Sequence, residues 1–126
     1  MTKTDGSGGK FAYDGLDRLL HEKARLSIMA SLYTRTEGHN FNELKKLCSL
    51  TDGNLSRHIS ILKEAGLVRV TKGYEKNKPN TLCQLTETGR SRFRAYLSEL
   101  EQIVKDAASA AKQSENIDEM HGLSPA

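Results

Sequence analysis

With 126 residues, 37% of them hydrophobic and 28% charged, the chain has the material for one domain around one modest core. It carries no apolar run of about 18 residues, so no membrane span is expected. Lys3 is followed by Asp5, Gly6, Ser7, Gly8 and Gly9 rather than by the apolar stretch of a signal peptide, so a cytoplasmic location is expected. Two cysteines, Cys48 and Cys83, are too few for a disulfide scaffold. The net charge of +3 is unevenly spread: Arg57, Lys63, Arg69, Lys72, Lys76 and Lys78 face only Glu64 and Glu75 between Asn54 and Lys78, while elsewhere acids slightly outnumber bases. Such a local excess is the electrostatic footprint of phosphate contact.

Residues 1–14 are rich in Gly and Ser and lack apolar periodicity, which predicts a flexible arm, although Phe11 and Tyr13 can still dock. The folded domain is expected over 15–111. Leu16, Leu19, Leu20, Ala24, Ile28, Met29, Leu32 and Tyr33 have helical spacing, which predicts one helix of about five turns. Gly38, His39 and Asn40 break it. Phe41 to Cys48 reads as a second, shorter helix with Phe41, Leu44 and Leu47 inward and Glu43, Lys45 and Lys46 outward. Ser49 and Leu50 form a tight turn into Thr51, whose hydroxyl suits the N-cap of a third helix. In that helix Leu55, Ile59 and Leu62 share one face, and Gly66 suits the left-handed position past its end. The opposite face carries Gly53, Arg57, Ser60 and Glu64, flanked by Asn54 and Ser56. Two short helices joined by a tight turn form a helix-turn-helix. A helix anchored by its back, with a small polar front, can enter a DNA major groove.

After Gly66 the pattern changes. Leu67 to Lys72 has the β-branched content of a strand, Gly73 to Asn80 is rich in turn formers, and Thr81 to Leu85 can return. The result is a hairpin with a basic tip, a wing. Thr86 is the expected cap of a long helix over 86–111. Phe93, Leu97, Leu100, Val104, Ala107 and Ala111 form an a/d seam along it, widened by Tyr96 and Ile103. About 26 residues at 1.5 Å each give roughly 39 Å, more than so small a domain covers, so self-association through this helix is expected. Residues 112–126 are expected to be a disordered tail. The fold class is mainly α with a small β-hairpin wing and a long C-terminal dimerisation helix.

Asn54-Leu55-Ser56-Arg57-His58-Ile59, then Leu62, then Glu64-Ala65-Gly66-Leu67-Val68, resembles the recognition helix of winged helix-turn-helix transcriptional regulators. Small single-domain regulators of the MarR/ArsR-like group are the nearest in pattern. The likeness continues upstream through Phe41, Leu44 and Leu47 and downstream through Leu85-Thr86-Glu87-Thr88-Gly89-Arg90, and spans roughly Leu16 to Val104. It implies a DNA-binding regulator and a structural role for His58. Some metal-sensing relatives carry paired cysteines in the recognition helix; none stands there in this chain.

The residues expected to contact DNA are Gly53, Asn54, Ser56, Arg57, Ser60 and Lys63 on the recognition helix. Arg57 is the one suited to a guanine edge or a phosphate clamp, and Gly53 lets the helix N-terminus approach the backbone. Lys72, Tyr74, Lys76, Asn77 and Lys78 on the wing, and Lys45 and Lys46 on the second helix, are expected along the sugar–phosphate backbone, where contacts add affinity more than sequence information. Cys48 reads as a small core residue. Nothing beside Cys83 argues for the exposed, low-pKa thiolate of a redox switch. The scattered histidines lack zinc spacing, no phosphate loop or nucleophile elbow is present, and neither enzymatic activity nor a cofactor is expected. The expected partners are double-stranded DNA with an inverted-repeat operator, a second copy of the chain, and an unidentified small-molecule effector in a pocket between the first helix and the dimer helix. Two other readings remain open: a winged-helix protein–protein adaptor without specific DNA binding, and a sensor whose ligand matters more than its DNA affinity.

Overall fold

The computed structural model describes residues 9–120, with side chains described through residue 116. The element order is α1 (Lys23–Tyr33), β1 (His39–Asn40), α2 (Phe41–Cys48), α3 (Asp52–Glu64), β2 (Val68–Glu75), β3 (Lys78–Leu85) and α4 (Glu87–Met120). Two compact units are present. Residues Asp17–Tyr96 form one; of the described residues, 9–16 and 97–120 belong to the other. The expected architecture, helical with a hairpin wing and a long C-terminal helix, is the one observed.

The first helix is shorter than its periodicity predicts. Asp17 accepts the Leu19 and Leu20 N–H groups on Oδ1 at 3.0 and 3.3 Å, which winds residues 17–21 into a turn of their own. Short acidic side chains capture nearby backbone donors in this way and compete with a helix. Helix α1 then starts from Glu22, whose carboxylate accepts the Arg25 N–H at 2.8 Å. Leu20, still buried, packs from the turn rather than from a helix.

Helices α2 and α3 have the predicted bounds because both carry clear caps. Asn40 and Glu43 close a reciprocal capping box at the start of α2. Ser49 ends α2 in the left-handed conformation, at φ 54°. Thr51 Oγ1 accepts the Asn54 N–H at 3.2 Å, and Gly66 follows α3 at φ +80°. Leu44, Leu55, Ile59 and Leu62 are buried together with Ile28, Met29 and Leu32 of α1. Leu47 departs from expectation: it is 58% exposed. The next residue takes the inward direction instead, with Cys48 Sγ 3.7 Å from Ser31 Oγ on α1.

The sheet has three strands in the order β1-β3-β2, all antiparallel. Strand β1 has no counterpart in the sequence pattern. Its two residues pair with Leu82 and Cys83, and Gly38 precedes it at φ +88°, where a Cβ would run into the Cys83 carbonyl. The wing turn is also tighter than expected. Only Lys76 and Asn77 form it, both at positive φ (52° and 65°), the pattern of a two-residue type I′ turn. Gly73, Pro79 and Asn80 therefore lie in the ladder, which runs in register from Val68↔Leu85 to Glu75↔Lys78. Pro79 opposes Tyr74, one step in from the pair that flanks the turn. Antiparallel pairs alternate, so Pro79 occupies a non-hydrogen-bonded position where its missing N–H costs nothing.

Thr86 caps α4 as predicted and does more. Its N–H donates to Leu67 O at 3.0 Å, its hydroxyl donates to Gly66 O at 2.6 Å, and the same oxygen accepts the Gly89 N–H at 2.9 Å. The end of the helix-turn-helix and the first turn of α4 are thus one knot. Phe93 and Tyr96 pack inward from α4 within the 17–96 unit, Phe93 against Tyr33 at 5.2 Å between ring centres. Arg92 and Asp17 form a two-point ion pair, at 2.6 and 3.3 Å. Helix α4 passes the expected end at Ala111 and continues to Met120, because 112–120 contain no Gly or Pro to stop it. The remainder of the expected tail, and residues 1–8 of the expected arm, lie outside the described residues. In the second unit Tyr13 does dock: its hydroxyl donates to Asp106 Oδ2 at 2.7 Å.

Candidate nucleic-acid interface

Helix α3 divides into two faces. Its buried side is Leu55, His58, Ile59 and Leu62. Gly53, Asn54, Ser56, Arg57, Ser60 and Lys63, the six residues singled out from the sequence, are all exposed. Burial of the apolar side fixes the helix, so the polar side is presented on a rigid element. Lys45 Nζ sits 2.9 Å from Asp52 Oδ1, which braces α2 against the first turn of α3 and partly neutralises that lysine. Lys46 is exposed and appears in none of the ion pairs among the described residues.

The wing continues this surface. Along β2 successive side chains alternate, so Val68, Val70, Lys72 and Tyr74 share one face of the hairpin. Its inner end, Val68 with Leu85 and Cys83 opposite, is core; its outer end is Lys72 and Tyr74, the latter 79% exposed. A groove of about 370 Å³ runs between the two elements, lined by Ser56, Ser60 and Lys63 from α3 and Val70, Lys72 and Thr81 from the hairpin. Lys76, Asn77 and Lys78 are exposed at the tip. The fold therefore brings Ser56, Ser60 and Lys63 together with Lys72 on either side of one groove; Gly53, Asn54, Arg57, Tyr74 and the tip residues Lys76, Asn77 and Lys78 do not line it.

A cluster behind Arg57 has no sequence signal, because it joins Glu22 and Arg25 of the α1 start to Arg57 and His58 more than thirty positions on. His58 is only 4% exposed. Its Nδ1 lies 3.2 Å from Arg25 Nη1 and 3.9 Å from Glu22 Oε1, and its Nε2 lies 3.3 Å from Arg57 Nη2. Burial lowers the His58 pKa below its ordinary value; Glu22 works against this and the two arginines reinforce it. Arg25 is itself held by donating from Nε to Leu19 O at 2.7 Å. The expected structural role of His58 is visible in its burial. Its approach to Arg57 has no signature in the sequence.

Other chemistry finds little footing. Burial pushes the Cys83 thiol up to about 11 and raises that of Cys48, the opposite of what a reactive thiolate needs. Among the described residues no group of three His, Cys, Asp or Glu could hold a metal ion, and no helix is long and apolar enough to cross a membrane.

Residues 24–104 match the family described as the winged helix DNA-binding domain. The chain belongs to that family. An uncharacterized protein of Methanocaldococcus jannaschii is 36% identical to this winged-helix chain over 89 residues, 71% of the chain and 96% of the relative. The structure of a transcriptional regulator homologue from Pyrococcus horikoshii superposes with a TM-score of 0.66 at 31% identity, covering 71% of this chain and 87% of that one. A MarR-family regulator from Rhodococcus shares the fold at 17% identity and a TM-score of 0.56, over 75% of this chain and 69% of its own. The resemblance read from the recognition-helix motif is met, and family and fold are those of transcriptional regulators rather than of enzymes.

One expected set of residues needs correction within this winged-helix unit. Helical spacing puts Phe93 on the self-association seam of the long helix, but it is 3% exposed, stacked on Tyr96 and tilted against Tyr33. A residue already packed in its own core cannot also serve a partner. The seam positions left are Leu97, Leu100, Val104, Ala107 and Ala111; Leu97 is 39% and Val104 67% exposed.

Proposed function

We propose that the chain is a sequence-specific regulator that binds double-stranded DNA as a homodimer on an inverted repeat. The observation that carries this reading is the two-faced α3: an apolar back locked in the core, and a front of Gly53, Asn54, Ser56, Arg57, Ser60 and Lys63 beside the wing lysines. In this reading α3 lies in a major groove and Arg57 reaches a guanine edge with both ends of its guanidinium. Ser56 and Ser60 allow close approach, and the α3 N-terminus at Gly53 offers backbone N–H groups to a phosphate. Lys72, Tyr74, Lys76, Asn77 and Lys78 follow the neighbouring backbone, with Lys46 and, less strongly, the Asp52-paired Lys45 on the other side.

The homodimer is supported by the apolar side chains that α4 leaves uncovered, above all Leu97 and Val104. Solvent-exposed apolar positions at a/d spacing are what a partner helix covers. A two-fold dimer places two recognition helices on half-sites about one helical turn apart, or a multiple of it.

The test is an anisotropy titration against a randomised duplex pool at two salt concentrations, with Arg57→Ala as control. Enrichment of an inverted repeat is expected, with a steep salt dependence and a loss of about 1–3 kcal/mol in the variant. Weak binding to every duplex, unchanged by the substitution, would refute the reading and favour an adaptor.

A further inference from the structure

We propose that His58 is a positioning residue for sequence reading: the lone pair on its Nε2 holds the Arg57 guanidinium in place for its base contact. The inference rests on the reading that Arg57 contacts a base. Its starting point is a mismatch in the buried cluster. Both ring nitrogens of His58 face arginine donors, Arg25 Nη1 at 3.2 Å and Arg57 Nη2 at 3.3 Å. A neutral imidazole has one N–H and one lone pair, so it accepts from only one of them. An imidazolium accepts from neither.

The surroundings decide which arginine receives it. Arg25 has other partners: its Nε donates to the Leu19 carbonyl at 2.7 Å, and its Nη1 pairs in charge with the Glu22 carboxylate at 3.9 Å. Arg57 has no other hydrogen-bond or ion-pair partner among the described residues. A proton on Nδ1 also faces the Glu22 carboxylate, 3.9 Å away, which favours that tautomer. The lone pair therefore falls to Nε2 and to Arg57. His58 is locked by burial among α1 and α3, so it passes that rigidity to an exposed arginine that would otherwise sample many rotamers. Pre-organisation of this kind sharpens recognition by cutting the ordering cost of the contact.

The experiment compares three substitutions with wild type and Arg57→Ala, measuring affinity for the selected duplex and for duplexes changed at the base pair to which Arg57→Ala is blind. In His58→Gln the side-chain oxygen replaces the Nε2 acceptor; in His58→Asn it replaces only Nδ1; His58→Leu keeps burial with no acceptor. Discrimination at that base pair is expected to survive in the Gln variant and to fall about tenfold in the Asn and Leu variants, a typical share of one bidentate contact. Retention in all three, or in Asn rather than Gln, overturns the proposal while leaving the DNA reading intact. No loss in Arg57→Ala overturns both. A second measurement does not depend on the folding of His58 variants: two-bond ¹H–¹⁵N correlation of the His58 ring. Wild type is expected as the Nδ1–H tautomer, with the proton moving to Nε2 in Arg57→Ala as the lone pair turns to Arg25. An Nε2–H tautomer in wild type overturns the proposal.

Discussion

Replacing Gly89 by alanine is expected to unfold the winged-helix unit at a markedly lower temperature, although helix propensity alone predicts the reverse. Gly89 lies in the first turn of α4, where alanine is favoured over glycine by up to about 1 kcal/mol. A Cβ there would meet the Leu67 carbonyl oxygen at well under van der Waals distance, with the carbonyl carbon at 2.9 Å and the Cα at 3.1 Å. These are backbone atoms and cannot swing aside. Forcing a group into a packed site costs about 1–3 kcal/mol. The displaced carbonyl is also the acceptor for the Thr86 N–H, and weakening that bond costs about 1 kcal/mol more. The net loss is about 1–3 kcal/mol, or a melting point lower by roughly 5–20 °C for a unit of this size. Gly53→Ala is the matched control. Nothing lies within 4 Å of its Cβ position, so its melting point should stay level or rise slightly, while its close approach to DNA is impaired. Thermal unfolding followed by circular dichroism reads both. A Gly89→Ala protein that melts with wild type would refute the knot between Leu67, Thr86 and Gly89 as a structural constraint.

Alanine at Lys72, Lys76 and Lys78 should flatten the salt dependence of DNA binding by about 0.9 in logarithmic slope for each phosphate no longer neutralised, measured by anisotropy between about 50 and 200 mM salt; an unchanged slope would take the wing off the DNA. Val104→Glu places a charge among the exposed apolar positions of α4 and should shift the proposed dimer to monomer in sedimentation velocity, with the melting point of the 17–96 unit little changed; a wild-type protein that sediments as a monomer would refute the dimer. The Arg92 guanidinium holds the Asp17 carboxyl below its ordinary value. A depressed carboxyl pKa contributes stability that is complete above the unfolded-state value and is lost as pH falls through the folded one. Stability should therefore drop below about pH 4, and Asp17→Asn should remove that part of the acid dependence at a cost of about 1 kcal/mol at neutral pH, kept small because Arg92 is partly exposed.

The parts of the fold that could be read from the chain are those governed by local chemistry. Thr51 and Thr86 are caps whose side chains satisfy backbone donors three residues on, and each helix start they imply is where it should be; Asn40, read only as a break, caps α2 in the same way. Most of the errors arise where a contact outside the local pattern takes over, sometimes a short-range side-chain capture and sometimes a long-range pairing. Leu16 to Tyr33 looks like one helix until Asp17 captures the Leu19 and Leu20 N–H groups and winds a turn of its own, while its other oxygen pairs with Arg92 across 75 residues. Gly73, Pro79 and Asn80 look like a loop, yet the cross-strand ladder absorbs them once Lys76 and Asn77 make the turn. β1 is two residues long and exists only because Cys83 is there to pair with. Helical spacing identified Leu47 and Phe93 as apolar but could not tell which surface each would meet. Much the same divides the candidate interface. The exposed face of α3 follows from its periodicity, whereas the Glu22–Arg25–His58–Arg57 cluster joins residues more than thirty positions apart and leaves no trace in spacing.

The continuous ladder of the wing also limits how this protein can change. Val68, Val70, Lys72 and Tyr74 stand on one side of a ribbon that is interior at its base and basic at its end. Removing one residue from β2 would turn every later side chain over and put Lys72 and Tyr74 on the far side of the ribbon. Removing a facing pair of residues from both strands, and then another, would shorten the reach without disturbing which side faces the groove. Wing length is thus an evolutionary dial with even-numbered settings, on which a descendant could alter how far the hairpin extends beyond α3 without rebuilding that helix.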